Sequence, residues 1–200
     1  MFSLNVPLPP AVPRLARDLR PALAGFDRVR ERHTLVGKRF GVDDVSGERR
    51  PAPDRSPDQA SGQAPDRASD PAPDRTAALA TLRRALRPLL DGVDPFDVAI
   101  RRIGAFDRPT QGPGPVVYLA VESEPLDRLH RRLCAAFGPI EGIEGDDYVP
   151  HVTLARGGTP AAADALDALV RTPIDPIEWR VHELELYDAD FREVAGRVRL

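Results

Sequence analysis

A chain of 200 residues with 42% hydrophobic and 30% charged side chains has a globular composition, one domain or two small lobes, which excludes a wholly disordered protein. A formal net charge of −3 gives no global basic field, so any nucleic-acid contact must rest on a local patch. The single Cys134 excludes an internal disulfide and a thiolate metal cluster, and no apolar run reaches the roughly 18–20 residues of a membrane span.

Residues 2–6 alternate apolar and polar, as a half-buried strand does, and the first six residues lack the basic start and long apolar run of a signal peptide. With one unpaired cysteine this fits a reducing compartment, so a cytoplasmic protein is expected. Over 10–23, Val12, Leu15, Leu19 and Leu23 make one helical stripe. A second extended stretch, 27–40, contains His33, and Gly37 is positioned to mark a bulge in it. From 46 to 75 there is no large apolar side chain, and Ala-Pro-Asp-Arg occurs three times, beginning at Ala52, Ala64 and Ala72. Such a segment has nothing to bury against its ordering entropy, so a disordered low-complexity insertion is expected. Leu79, Leu82, Leu86 and Leu89 then predict an amphipathic helix ended by Gly92, and Phe96, Val98 and Ile100 a strand.

The second half repeats this order. Residues 116–121 read as a strand, 125–137 as a helix with Leu126, Leu129, Leu133 and Phe137 inward, and 148–156 as a strand containing His151. A helix over 161–170, a strand over 179–187 and a last strand over 194–200 follow. Strand, helix, histidine strand, helix, strand therefore occurs twice, with halves of about 1–105 and 116–200 and no clean boundary between them. Each half is small for an independent core, so one folding unit is expected.

Four histidines could do chemistry: His33, His130, His151 and His182. On a strand, His151 and Thr153 share one face while Val152 and Leu154 share the other, which describes a wall with a core behind it and a groove in front. The alternative is a solvent-facing edge with an incidental histidine. If the halves pack about a pseudo-twofold axis, His33 faces His151 across the groove. Two imidazoles suit phosphodiester hydrolysis, one accepting a proton from water and one donating to the leaving oxygen. Hydroxyls and cations hold the phosphate oxygens as charge redistributes. With His33 facing in, Leu35 shares its side and Thr34 does not, so Lys38 or Arg39 is expected to supply positive charge. His130 reads as a helix-surface histidine, His182 as packing at a sheet margin, and Cys134 as core. No HxH, HExxH or HxxxH spacing exists, so no metal site is expected. Residues 111–115, Gln-Gly-Pro-Gly-Pro, place prolines where a phosphate-cradling loop needs free N–H groups.

Pro150-His151-Val152-Thr153-Leu154-Ala155-Arg156 resembles the second signature of the two-histidine (2H) phosphoesterases, the 2′-5′ RNA ligase and RNA 2′,3′-cyclic phosphodiesterase group: Pro, then His-x-Thr and an apolar residue, with Arg close after. The opening 2–9, the Ile103-Gly104-Ala105-Phe106 segment and Leu184-Glu185-Leu186-Tyr187 agree with it. The first signature departs: Arg32-His33-Thr34-Leu35 has its threonine next to the histidine. The resemblance implies an α+β fold of two pseudo-symmetric antiparallel-sheet lobes, helices outside and a groove between. It implies hydrolysis of 2′,3′-cyclic phosphate at RNA ends, with reversible 2′-5′ ligation in some members and no metal or nucleotide cofactor. His33 and His151 would be the acid–base pair, Thr153, Arg156, Lys38 and Thr34 the phosphate ligands, and Phe106 and Tyr148 stacking platforms for a terminal base. The expected partner is an RNA end or a small cyclic nucleotide, with no membrane, and a monomer is expected. The competing readings are a degenerate RNA-end binder without turnover and a phosphodiesterase for a small cyclic nucleotide or ADP-ribose cyclic phosphate.

Overall fold

The structure, a computed structural model, describes residues 1–41, 44, 75–158 and 160–200. The expected insertion over 46–75 lies outside the described residues except for Arg75, which opens a helix.

Alternation at the start of the chain forms β1 (Phe2–Val6), whose Phe2, Leu4 and Val6 enter the core. The following stripe forms α1 (Ala11–Asp18) and then a single 3-10 turn over Arg20–Leu23, because Pro21 has no N–H with which to continue an α-helix. The extended stretch divides into β2 (Arg28–Val29) and β3 (Leu35–Phe40), with a bend at residues 31 and 32 between them. Next come α2 (Arg75–Leu90), β4 (Phe96–Phe106), β5 (Val116–Glu122), α3 (Glu124–Phe137) and β6 (His151–Arg156). The chain ends with α4 (Pro160–Arg171), β7 (Ile177–Val181), β8 (Glu183–Asp188) and β9 (Glu193–Arg199). Ser123 starts α3 as its N-cap, accepting the Leu126 N–H and donating its hydroxyl proton to the Asp97 carbonyl at 2.7 Å.

The strands form one antiparallel sheet in the order β7-β4-β5-β6-β3-β1-β8-β9, with β2 beside β6. The α+β reading, with helices packed on antiparallel strands, agrees with this. The two sheet halves meet where Leu35 of β3 pairs with Val152 of β6. They do not follow the halves of the chain: β4 pairs with β5 and β7, and β8 and β9 return to β1. That return also breaks the strand expected over 179–187. Residues up to Val181 pair with β4 and those from Glu183 pair toward β1, so the chain changes partners at His182, which is exposed and not packed. Apolar side chains from both sheet halves and from α2, among them Leu4, Leu35, Leu82, Leu119, Val152 and Leu186, form one core cluster. Among the described residues no helix is long and apolar enough to cross a membrane.

The bulge expected at Gly37 is present. Leu4 pairs with Lys38 and Asn5 with Val36, which leaves Gly37 as an extra residue on β3. A Cβ there would stand 3.3 Å from the Leu4 carbonyl oxygen, so the close strand approach favours glycine.

Candidate functional site

Alternation decides which side chains of β6 meet the groove. Val152 and Leu154 are fully buried on the core side, while His151 and Thr153 line a cavity of about 280 Å3 on the other; a register shift between Thr153 and Ala155 brings Arg156 onto the same wall. The opposite wall comes from the segment ahead of and within β3, where Arg30, Arg32, Thr34 and Val36 alternate onto the cavity. Beyond the Gly37 bulge the parity inverts, and Arg39 is the next residue on the wall. The loop after β4 supplies Arg108 and Gln111, and the loop after α3 supplies Asp147 and Tyr148.

This geometry revises the first histidine motif. Thr34, expected to face away, lies on the cavity wall, and Leu35, expected to face the groove, is fully buried in the core. His33 has the opposite parity from Thr34 and is not a wall residue, so the two imidazoles are not brought together across the cavity. The residue two before Thr34 on the wall is Arg32, as His151 is two before Thr153.

Lys38 is corrected as well. The bulge turns it inward, where its Nζ donates to Glu144 Oε2 at 2.7 Å with both side chains 1% exposed. The same carboxylate accepts the backbone N–H of Arg39 at 2.8 Å and of Ile140 at 3.0 Å. Lys38 is therefore a structural cation behind the wall, and Arg39 is the basic residue of this strand that reaches the cavity. His130, expected on the helix surface, is 1% exposed. Its Nδ1–H donates to the Gly37 carbonyl at 2.7 Å, and its Nε2 accepts the Gly145 N–H at 2.9 Å. Cys134, buried as expected, has its sulfur 3.3 Å from that Nε2. The His130 ring lies against Tyr148, centroids 3.7 Å apart and planes at 12°. The Tyr148 hydroxyl donates to the Val36 carbonyl at 2.8 Å, and burial holds its ionisation well above the usual phenol range. One face of this expected stacking platform is thus already covered by His130. Phe106 stacks on Tyr118 at 4.3 Å and meets His151 edge-on at 5.3 Å, so it borders the histidine directly.

His151 Nδ1 lies 2.6 Å from the Val149 carbonyl, which can only accept, so this nitrogen carries the proton and Nε2 keeps its lone pair. Burial lowers its pKa below the usual 6.5; the Val149 bond opposes this, and the charges of Arg39 and Arg156 add to the lowering. Near neutral pH the ring is therefore a neutral base. Arg156 Nη1 donates to the Gln111 carbonyl at 2.7 Å, tying the loop after β4 to β6, while its buried Nε has no partner among the described residues. Burial, then Arg30 and Arg39, lower the Arg156 pKa. Five arginines (30, 32, 39, 108 and 156) and one aspartate line the cavity, and none of these arginines is ion-paired to a carboxylate among the described residues. A cluster of unneutralised guanidinium groups with a buried orphan N–H is electrostatically incomplete without an anion. Among the described residues no three His, Cys, Asp or Glu side chains converge as a metal site.

Three histidines, 33, 130 and 151, share a pKa lowered chiefly by burial, so the unfolded chain takes up protons that the folded one refuses below 6.5. Their contribution to stability is whole above that pH and is lost as pH falls from 6.5 toward the lowered values. Thermal unfolding should show a constant midpoint on the neutral side and a falling one below about pH 6.5. A midpoint that rises on acidification would contradict the assigned burial.

A family model described as the 2′-5′ RNA ligase superfamily matches residues 64–192. An RNA 2′,3′-cyclic phosphodiesterase of Methanothermobacter thermautotrophicus is 34% identical over 93 residues, which are 46% of this chain and 50% of that protein. The chain thus spans about half the length of the curated relative it matches. Among solved structures, TT0787 of Thermus thermophilus superimposes with a TM-score of 0.57 at 18% identity, covering 100% of this chain and 97% of that one, a likeness of fold.

Proposed function

Because the chain belongs to the 2′-5′ RNA ligase superfamily, we propose that its arginine-walled cavity opens 2′,3′-cyclic phosphates at RNA ends, with His151 as the group that moves the proton. The observation that carries this reading is the state of His151. Its Nδ1–H is fixed on the Val149 carbonyl, its Nε2 has no partner among the described residues, and it stands among guanidinium groups that form no ion pair with a described carboxylate. A cyclic phosphodiester is an anion that gains charge as water attacks phosphorus, and such a surround stabilises that gain. In the proposed step Nε2 accepts a proton from the attacking water, a phosphorus–oxygen bond of the ring breaks, and a phosphomonoester and a free hydroxyl result. Thr153 and Thr34 offer hydroxyl donors to the non-bridging oxygens, and Arg39 and Arg156 offer charge. The relative from Methanothermobacter supports the choice of a cyclic phosphate by its name.

The test is an oligoribonucleotide ending in a 2′,3′-cyclic phosphate, incubated with the protein in excess EDTA. Turnover to a phosphomonoester is expected, at the same rate with and without chelator. Loss of activity in EDTA would overturn the reading. The presence of one imidazole on the wall favours a second reading, a binder of RNA ends without turnover; retention of the labelled end with no product would establish it. Competition by nucleoside 2′,3′-cyclic monophosphate or ADP-ribose cyclic phosphate separates the small-molecule alternatives, and incubation with a 5′-hydroxyl end tests 2′-5′ ligation.

A further inference from the structure

Two strand-borne triplets face the cavity in the same way. Leu35 pairs with Val152 in antiparallel register, which sets Thr34 beside Thr153, and both threonines are on the wall. Two residues from each threonine, in the N-terminal direction, stands another wall residue: His151 on one side and Arg32 on the other. The cavity therefore has a local twofold pattern in which one basic position is an imidazole and the other a guanidinium. Arg32 is held in place. Its Nη1 donates to the Arg192 carbonyl at 2.9 Å, in the turn joining β8 to β9, and it makes no ion pair with a carboxylate among the described residues. One N–H of five is used this way, and the rest of the fork remains for a ligand.

We propose that Arg32 is the second catalytic group of the cavity, a fixed positive charge on the leaving oxygen in the place where a second imidazole would otherwise act. The assignment rests on the cyclic phosphate reading above and adds to it the division of labour between the two sides. A guanidinium does not give up its proton in this pH range, so it stabilises the departing alkoxide by charge and hydrogen bonding rather than by protonation. The balance is complete with water alone. His151 Nε2 takes one proton from the attacking water and returns it to solvent, and the alkoxide, stabilised by Arg32, takes one from solvent. No other co-reactant is consumed.

A consequence separates this arrangement from a two-imidazole site. Catalysis by paired imidazoles needs one neutral and one charged, which makes the pH dependence of kcat/KM a bell. Here the wall holds one imidazole, the side chain whose ordinary ionisation lies near neutrality. The charged and titratable groups around His151 are Arg30, Arg32, Arg39, Arg108, Arg156, Asp147, Tyr118 and Tyr148, and arginine, aspartate and tyrosine ordinarily ionise outside that range. His33 and His130 lie off the wall, so their titration acts on stability and not on the chemical step.

The experiment is a pH–rate profile of the full chain on a 2′,3′-cyclic phosphate end, for the wild type, Arg32→Ala, Arg32→His and His33→Ala. The wild type should rise through one ionisation below 6.5 and stay flat on the alkaline side. Arg32→Ala should lower kcat by about 10²–10³-fold, the usual cost of one donor to a developing oxyanion, with a smaller change in KM. Arg32→His should convert the plateau into a bell, because the new imidazole must be charged to act as acid. His33→Ala should keep the wild-type shape. A wild-type bell that disappears in His33→Ala, or a kcat unchanged in Arg32→Ala, overturns the assignment while leaving the cyclic phosphate reading intact. Turnover that survives His151→Ala, or no turnover by the wild type, removes the reading itself.

Discussion

Replacing His151 by alanine should lower kcat/KM on a cyclic phosphate end by about 10²–10⁴-fold, the usual worth of a positioned general base. The size follows from what the structure leaves to do the work. Nε2 of His151 is the one histidine nitrogen on the cavity wall, and the ring's other nitrogen is committed to the Val149 carbonyl. Alanine removes the base and leaves the arginines, so phosphate binding should persist and the loss should fall on kcat. Asparagine at the same position keeps hydrogen bonding without proton transfer and should lose nearly as much. The acid limb carries the same message. Burial, with Arg39 and Arg156 adding to it, lowers the His151 pKa, so its neutral form persists to lower pH than for a free imidazole, and activity should begin to fall only below 6.5. A variant that turns over at the wild-type rate would remove His151 from the chemistry.

Glu144→Gln should destabilise the fold by about 3–5 kcal/mol, the cost of stranding one partner of a buried ion pair. The remaining partner is the Lys38 ammonium, 1% exposed and left with the Arg39 carbonyl and the amide in place of a carboxylate. For a chain of this size the midpoint of thermal unfolding should fall by about 6–20 °C. The double variant Lys38→Met/Glu144→Gln should recover part of the loss: no buried charge is left unpaired, while the amide oxygen accepts one of the Arg39 and Ile140 N–H groups, which bond different oxygens of the carboxylate. A change below about 1 kcal/mol in Glu144→Gln, within the range of exposed pairs, would show that the pair is hydrated in solution. The pair also bears on the cavity. Glu144 joins β3 just past the bulge to the loop carrying Asp147 and Tyr148, so the single variant should loosen both walls and weaken phosphate binding, where the double variant should not.

The local elements were readable because each obeys one period. Alternation over 2–6 and 151–154, and leucine stripes in α2 and α3, are set by which side of an element meets the core. The His151–Thr153 wall was readable for the same reason: β6 is regular over His151–Leu154, so parity assigns both faces there, while Arg156 reaches the wall past a register shift that parity does not show. The matching strand was not, because its parity depends on where its irregularities lie. The bend at residues 31 and 32 and the extra residue Gly37 each shift which side chains face the cavity. A parity started from His33 therefore placed Leu35 on the wall and left Lys38 or Arg39 open as the cation, where the structure has Thr34 and Arg39. The alternation of Arg30, Arg32, Thr34 and Val36 was the available signal, and it needed an anchor that only the pairing of Leu35 with Val152 supplies.

The sequence by itself determined the element types, the core faces and one of the two basic positions of the site, since these follow from periodicity within single segments. Tertiary structure alone decided that His130 is buried, through the Gly37 carbonyl and the Gly145 N–H that satisfy both its nitrogens. It alone decided that Lys38 finds Glu144, 106 residues away, instead of a phosphate. It alone joined five arginines from separate strands and loops around one histidine. Contacts between distant segments depend on register and bulges, which periodicity does not encode, and a charge shows its role only when its partner, or the lack of one, is in place.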